Sequence, residues 1–301
     1  MHYKNKQRQD GFAHFAMLLA VIVIAIIGLV GWYVYKYSKT NSNSGNASQT
    51  ATTPDQTIAT KEPDIQDTLE NPQKIPTSDG SHYFYYGVPA GQNNANPKRI
   101  IISLPGHGTT AEDGYNKAWL SHIKGSKYAL ASLNWWDGKG EQKQNYLSAA
   151  EVVAQSQAFL KQQGYTTNDL IILEGFSRGS ANSYAVIAND RLSGNPVFDA
   201  VISASGGYQS DFPLSEGQSN SSASDTLYKG VYWVLACGGK DDNPNRDGCP
   251  AMETTKTFLT EHGATVLGIL EDPDAGHGAF HKGSLGLPEK ALQMIADKTL
   301  Q

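Results

Sequence analysis

Two cysteines in 301 residues permit one disulfide at most, so a fold stapled by several bridges is excluded. An excess of positive charge is also missing. Residues 80–301 carry 17 Lys/Arg against 22 Asp/Glu, and the whole chain has a net charge of -5. Nucleic-acid binding needs clustered Lys and Arg on a basic face, so that partner is not expected. Internal repeats are absent too. What is there is a hydrophobic content of 39% and an aromatic content of 10%, which suits a packed core rather than a disordered chain.

Charge is absent altogether from residues 16–35, which read AMLLAVIVIAIIGLVGWYVY. About 20 such residues span a bilayer as a helix. Trp32, Tyr33 and Tyr35 gather at one end, where amphipathic rings favour the headgroup level. A cleaved signal peptide would have a shorter apolar stretch and a small-residue cleavage site. The run here is longer and ends in bulky residues, so it predicts a single uncleaved transmembrane helix within 1–37. Lys4, Lys6 and Arg8 precede it, against Lys36 and Lys39 after it. That balance puts the N-terminus in the cytoplasm and the rest of the chain outside the cell membrane. Residues 38–79 are Ser/Thr/Asn/Gln-rich, then charged and broken by prolines, and they read as a disordered linker. A folded domain is expected over 80–301. Outside the cytoplasm oxidation is permitted, so a disulfide between Cys237 and Cys249 is expected, two buried thiols being the alternative.

Within 80–301 short apolar runs alternate with segments of helical period. Strands are predicted at 82–89, 99–108, 127–136, 169–175, 198–207, 230–239 and 264–272. Helices are predicted at 145–164, 177–190, 250–263 and 288–300, with Gly164 and Gly263 at helix ends and Pro288 at a helix start. Continuous apolar strands between amphipathic helices imply an α/β fold with a mostly parallel central sheet covered on both faces. Ligands in such sheets bind at the carboxyl ends of the strands. Chemistry is therefore sought in the loops that follow strands.

Gly175-Phe176-Ser177-Arg178-Gly179 lies between the strand DLIILE and a helical segment. Paired glycines let a chain turn sharply from strand to helix and raise the serine hydroxyl above the sheet. That hydroxyl becomes nucleophilic only when a base takes its proton. His262, His277 and His281 follow it in the chain. His262 sits at a predicted helix end, where the helix dipole accounts for it. His277 stands among glycines after a strand and is the preferred base, with His281 as runner-up. The strand at 230–239 is followed by Asp241 and Asp242, either of which could orient an imidazole. Trp135, Trp136 and His107 follow strands and are candidates for lining a substrate cleft, core packing being the alternative for the tryptophans. Asp241, Asn243, Asn245, Asp247 and Gly248 alternate like a Ca²⁺ loop. The carboxylate such a loop ends on is replaced by Thr254, so no metal is expected.

Taken in order, His107-Gly108, the GxSxG at 175–179, Gly238-Gly239-Lys240-Asp241 and Gly276-His277-Gly278 resemble the α/β-hydrolase superfamily. The resemblance runs over nearly all of 82–301 and points to compact dienelactone-hydrolase, polyhydroxybutyrate-depolymerase and feruloyl-esterase-like members. It implies a nucleophile at Ser177, an acid at Asp241 (Asp242 the alternative) and a base at His277. It also implies an oxyanion hole made by the N–H groups of Arg178 and Thr109, with Gly108 as the alternative loop donor. No cofactor is implied. The activity implied is hydrolysis of a small or polymeric carboxylic ester by a membrane-anchored enzyme. Peptidase and acyltransferase chemistry share the same residues, and a silent binding module on this scaffold is a further alternative.

Overall fold

A computed structural model describes residues 67–92, 95–140, 142–208 and 224–300. Strand β3 (Arg99–Leu104) is buried at every position after its first, as a strand covered on both faces must be. Strands β4 (Ala129–Leu133), β5 (Leu170–Phe176), β6 (Ala200–Ala204) and β7 (Tyr232–Gly238) are almost wholly buried as well. These five run parallel, and β8 (Thr265–Asp272) joins them beside β7. At the other edge β1 (Gln73–Pro76) and β2 (Tyr83–Gly87) add antiparallel. The order across the sheet is β1-β2-β4-β3-β5-β6-β7-β8.

Helical run α1 passes from Ala111–Asp113 through a π-helical stretch, Gly114–Trp119, to Leu120–Ile123. Then follow α2 (Ala149–Gln162), α3 (Arg178–Leu192), α4 (Cys249–Glu261), α5 (Ala279–Lys282) and α6 (Leu287–Thr299). Ser148 starts α2 with a reciprocal cap: its Oγ accepts from Glu151 N–H, and the Glu151 carboxylate accepts from Ser148 N–H. Alternate strand residues then divide between two cores. Ile100, Ile102, Ile171 and Leu173 face Val152 and Phe159 of α2, Val186 of α3 and Met252 of α4. Ile101, Leu130, Ile172 and Val234 face Tyr115 and Trp119 of α1 and Leu292 and Ile295 of α6. Each such buried side chain contributes about 1.5–3 kcal/mol. The sheet and both helical layers correspond to the α/β architecture expected from the sequence.

One boundary moves. Residues 67–79, placed in the linker by composition, belong to the folded domain. Leu69 is buried, its carbonyl accepts from the Tyr115 hydroxyl at 2.9 Å, and β1 pairs along β2. A four-residue edge strand with mostly exposed side chains leaves no apolar period to read, and the edge tolerates Pro76. The domain therefore begins no later than Asp67. The predicted anchor at 1–37, and the linker as far as residue 66, lie outside the described residues. Among the described residues no helix is long and apolar enough to cross a membrane.

Candidate active site

β5 turns into α3 at Ser177, whose φ of 53° and ψ of -113° are strained for a residue other than glycine. The neighbouring glycines make the turn possible. A methyl on Gly179 would lie 2.0 Å from the Leu104 carbonyl oxygen, and one on Gly175 would lie 2.5 Å from the Gly179 carbonyl. Helix α3 can therefore seat against β3 and β5 only with glycine at both positions. The turn puts Ser177 at the carboxyl edge of the sheet and at the N-terminal end of α3, where amides lack intrahelical acceptors.

Three side chains from three loops meet there. Ser177 Oγ is 2.9 Å from His277 Nε2, and His277 Nδ1 is 2.8 Å from Asp241 Oδ2. A carboxylate at Nδ1 makes that nitrogen the donor, which leaves Nε2 to accept the serine proton. The Asp241 side chain is 1% exposed and that of His277 38%, so the acid is shielded while the base is reachable. The second Asp241 oxygen accepts from Asn243 N–H at 2.8 Å. Asp242 is exposed and is not part of this chain of contacts. His281 is buried and lies 3.5 Å from Glu174 Oε1, not at Ser177. His262 ends α4 with its Nδ1 2.8 Å from the Phe258 carbonyl.

The loop carrying Asp241 is closed at its base. Cys237 in β7 and Cys249 at the start of α4 form a disulfide, with their Cα atoms 5.1 Å apart and 12 positions apart in the chain. A closed loop of this size stabilises the fold by about 3 kcal/mol on chain-entropy grounds. Reduction with a thiol, or Cys237→Ala with Cys249→Ala, is expected to lower the melting temperature by several degrees. An unchanged melting curve on full reduction would contradict that.

Asp247, on the same loop, is buried. One ligand-type atom from each of Asp241, Asp247 and His277 lies within 4.8 Å of the others. Within this group Asp241 is hydrogen-bonded to His277, and Asp247 accepts from Arg246 Nε at 2.8 Å.

The other sequence candidates fall differently. The Thr109 amide donates to the Gly106 carbonyl at 3.2 Å, which closes a tight turn. His107 and Gly108 lie inside that turn. Gly106 holds this turn against the nucleophile, since a methyl on it would be 3.3 Å from Ser177 Cβ. Trp135 is fully buried, with its indole N–H donating to the Pro105 carbonyl at 3.0 Å. It is a core residue that props the turn and does not line a cleft. Trp136 is half-buried and bridges to Tyr146, and the Arg178 guanidinium lies 4.1 Å from the Tyr146 ring centre. His107 is exposed. Sequence reading did not single out Tyr146 or Glu174. Glu174 did carry a signal, a lone charge inside the apolar run of a buried strand.

No protein-family model matches the chain, and no curated protein matches it. Solved structures do. An esterase/lipase from an uncultured bacterium superposes with a TM-score of 0.54 at 14% identity, covering 80% of this chain and 87% of that one. A bacterial heroin esterase gives 0.53 at 14% identity over 76% and 83%. Brefeldin A esterase, described as a bacterial homologue of human hormone-sensitive lipase, gives 0.52 at 16% identity over 82% and 79%. The strand order, the strained serine turn and these likenesses define the class: the chain has the α/β-hydrolase fold.

Proposed function

We propose that the domain is a serine hydrolase of carboxylic esters, held outside the cytoplasm by the uncharged run at 16–35. The observation that carries the reading is the continuous Ser177–His277–Asp241 contact chain on a strained strand-to-helix turn. His277 Nε2 takes the Ser177 proton as Oγ attacks the ester carbonyl. The tetrahedral oxyanion is met by the Arg178 amide and the turn at His107-Gly108. Collapse returns the proton from His277 to the departing alcohol oxygen and leaves an acyl-Ser177 ester. Water, deprotonated by His277, then attacks that ester and releases the acid with Ser177 protonated again. Asp241 holds the imidazole in the required tautomer and steadies its charged form.

A fluorophosphonate probe tests this directly. It is expected to label the full-length protein, with Ser177→Ala abolishing the label, and the labelled band should sediment with membranes. Labelling that survives Ser177→Ala would remove Ser177 as nucleophile. A labelled band in the soluble fraction would remove the anchor.

A further inference from the structure

Behind the Ser177–His277 contact a second contact joins the same two segments. Glu174 of β5 lies three residues before Ser177, and His281 of α5 lies four residues after His277. Glu174 is fully buried and His281 is buried beside it. Their side chains meet with Glu174 Oε1 3.5 Å from His281 Nε2. Two more elements reach the same carboxyl group. Ser103 Oγ of β3 donates to Glu174 Oε2 at 2.6 Å, and the Trp119 indole of α1 interacts with the group as well. The Trp119 and His281 rings also meet edge to face, 5.5 Å apart. An acid inside a buried strand is costly, and the hydrolytic steps above make no use of this one.

Burial pushes the Glu174 carboxyl up to about 7, with the Ser103 hydroxyl and then Trp119 opposing the rise. Burial, helped by His122 and Lys282, pulls His281 down to about 3. Both directions favour the uncharged forms. A neutral carboxyl can donate its proton to the Nε2 lone pair of His281, and a side-chain amide can donate in the same way.

The seat of α5 decides where His277 stands. The Ala279 amide donates to the Gly276 carbonyl at 3.0 Å, which closes a turn with His277 and Gly278 at its centre, and α5 begins at Ala279. A helix of one turn has little stability of its own, so its outside contacts fix it. His281 supplies two of them. Its side chain points inward to Glu174. Its carbonyl lies 3.0 Å from His122 Nε2 of α1, whose Nδ1 lies 2.8 Å from Glu289 Oε1 of α6. The Phe176 ring, next to Ser177 in the chain, stands 5.2 Å from the His277 ring and 5.3 Å from the His281 ring.

Resting on the serine-hydrolase reading above, we propose that Glu174 and His281 are positioning residues, whose contact ties the base loop to the nucleophile strand and sets the approach of His277 Nε2 to Ser177 Oγ. Both contacts run between β5 with its turn and the segment from His277 to Lys282, so the buried one constrains the reacting one. A shift of about 1 Å at reacting groups can cost about a hundredfold in rate. A purely structural pair would behave otherwise, since its loss would be felt in stability and not in the rate of correctly folded molecules.

The experiment uses full-length protein and reads kcat and KM on an activated ester. The kcat is counted per site labelled to completion by a fluorophosphonate, so that only folded Ser177 enters. His281→Asn carries its amide on a side chain too short to replace Nε2, whereas His281→Gln carries it one carbon further. His281→Asn is expected to lower kcat about tenfold with KM unchanged, a loss made in the transition state alone, and His281→Gln to recover most of that loss. Glu174→Leu should match His281→Asn, and Glu174→Gln should recover most of the activity. Glu174→Leu combined with His281→Asn should be no slower than either alone, because both break one contact. The two His281 variants decide the matter where Glu174→Leu does not fold. Equal kcat per labelled site in wild type and His281→Asn overturns the positioning role and leaves the serine hydrolase standing. A loss carried by KM, a His281→Gln no faster than His281→Asn, or additive losses in the double variant overturn it too. No labelling and no turnover in the wild type removes both readings.

Discussion

Ser177→Ala is expected to lower kcat by about 10⁶ and His277→Ala by a similar factor, with the double variant no slower than either. The reason is the single contact chain from Ser177 Oγ through His277 Nε2 and Nδ1 to Asp241. A nucleophile without a base, or a base without a nucleophile, leaves the same residual rate from binding and oxyanion contacts alone. Both variants should melt near the wild-type temperature. Each removes a partly exposed side chain, and Ser177→Ala keeps a β-carbon at the strained position. The measurement is turnover of an activated ester, corrected for the uncatalysed rate, beside thermal melts. The comparison variant is His281→Ala. Its imidazole lies against Glu174 and not against Ser177, so it should retain far more activity than His277→Ala. A dead His281→Ala beside an active His277→Ala would transfer the role of base.

Much of this arrangement was legible because the residues concerned report their own environment. RIIISL and DLIILE are too short for helices and are closed by Pro and Gly, as buried strands are, and a serine between glycines after such a strand marks a sharp turn into a helix. Asp241 and His277 follow strands, so the parallel order brings their loops to one edge of the sheet. What stayed illegible depends on contacts across the fold. Gln73–Pro76 has no apolar face and becomes a strand only through its pairing with β2. The Thr109 amide looks available in sequence, but a backbone turn decides its partner. Trp135 and Trp136 are neighbours in the chain, yet successive strand-end side chains point to opposite sides. One fills the core and the other stays half-buried. Glu174 and His281 are 107 positions apart, and no local pattern announces that they meet.

Asp241→Asn is expected to cut turnover by about 10⁴ while the fold persists. The amide can present its NH₂ group to His277 Nδ1, which favours the tautomer with the proton on Nε2, and Nε2 can then no longer take the Ser177 proton. The shielding of Asp241 sharpens the effect, since no water replaces the lost charge beside a side chain 1% exposed. Asp242→Asn should stay within about twofold, as an exposed substitution away from the contacts does. Asp247→Asn falls between them. That carboxylate lies in the same cluster and is paired with Arg246, so its loss disturbs the loop without removing the partner of Nδ1. The order of the three variants is the discriminating result, because each places a different carboxylate next to the imidazole. If Asp247→Asn were the most damaged and Asp241→Asn nearly active, the imidazole would turn to Asp247 during the reaction. If Asp242→Asn were the most damaged, the loop closed by Cys237 and Cys249 would have to adopt another register in the working enzyme. Breaking the disulfide would then change activity more than stability.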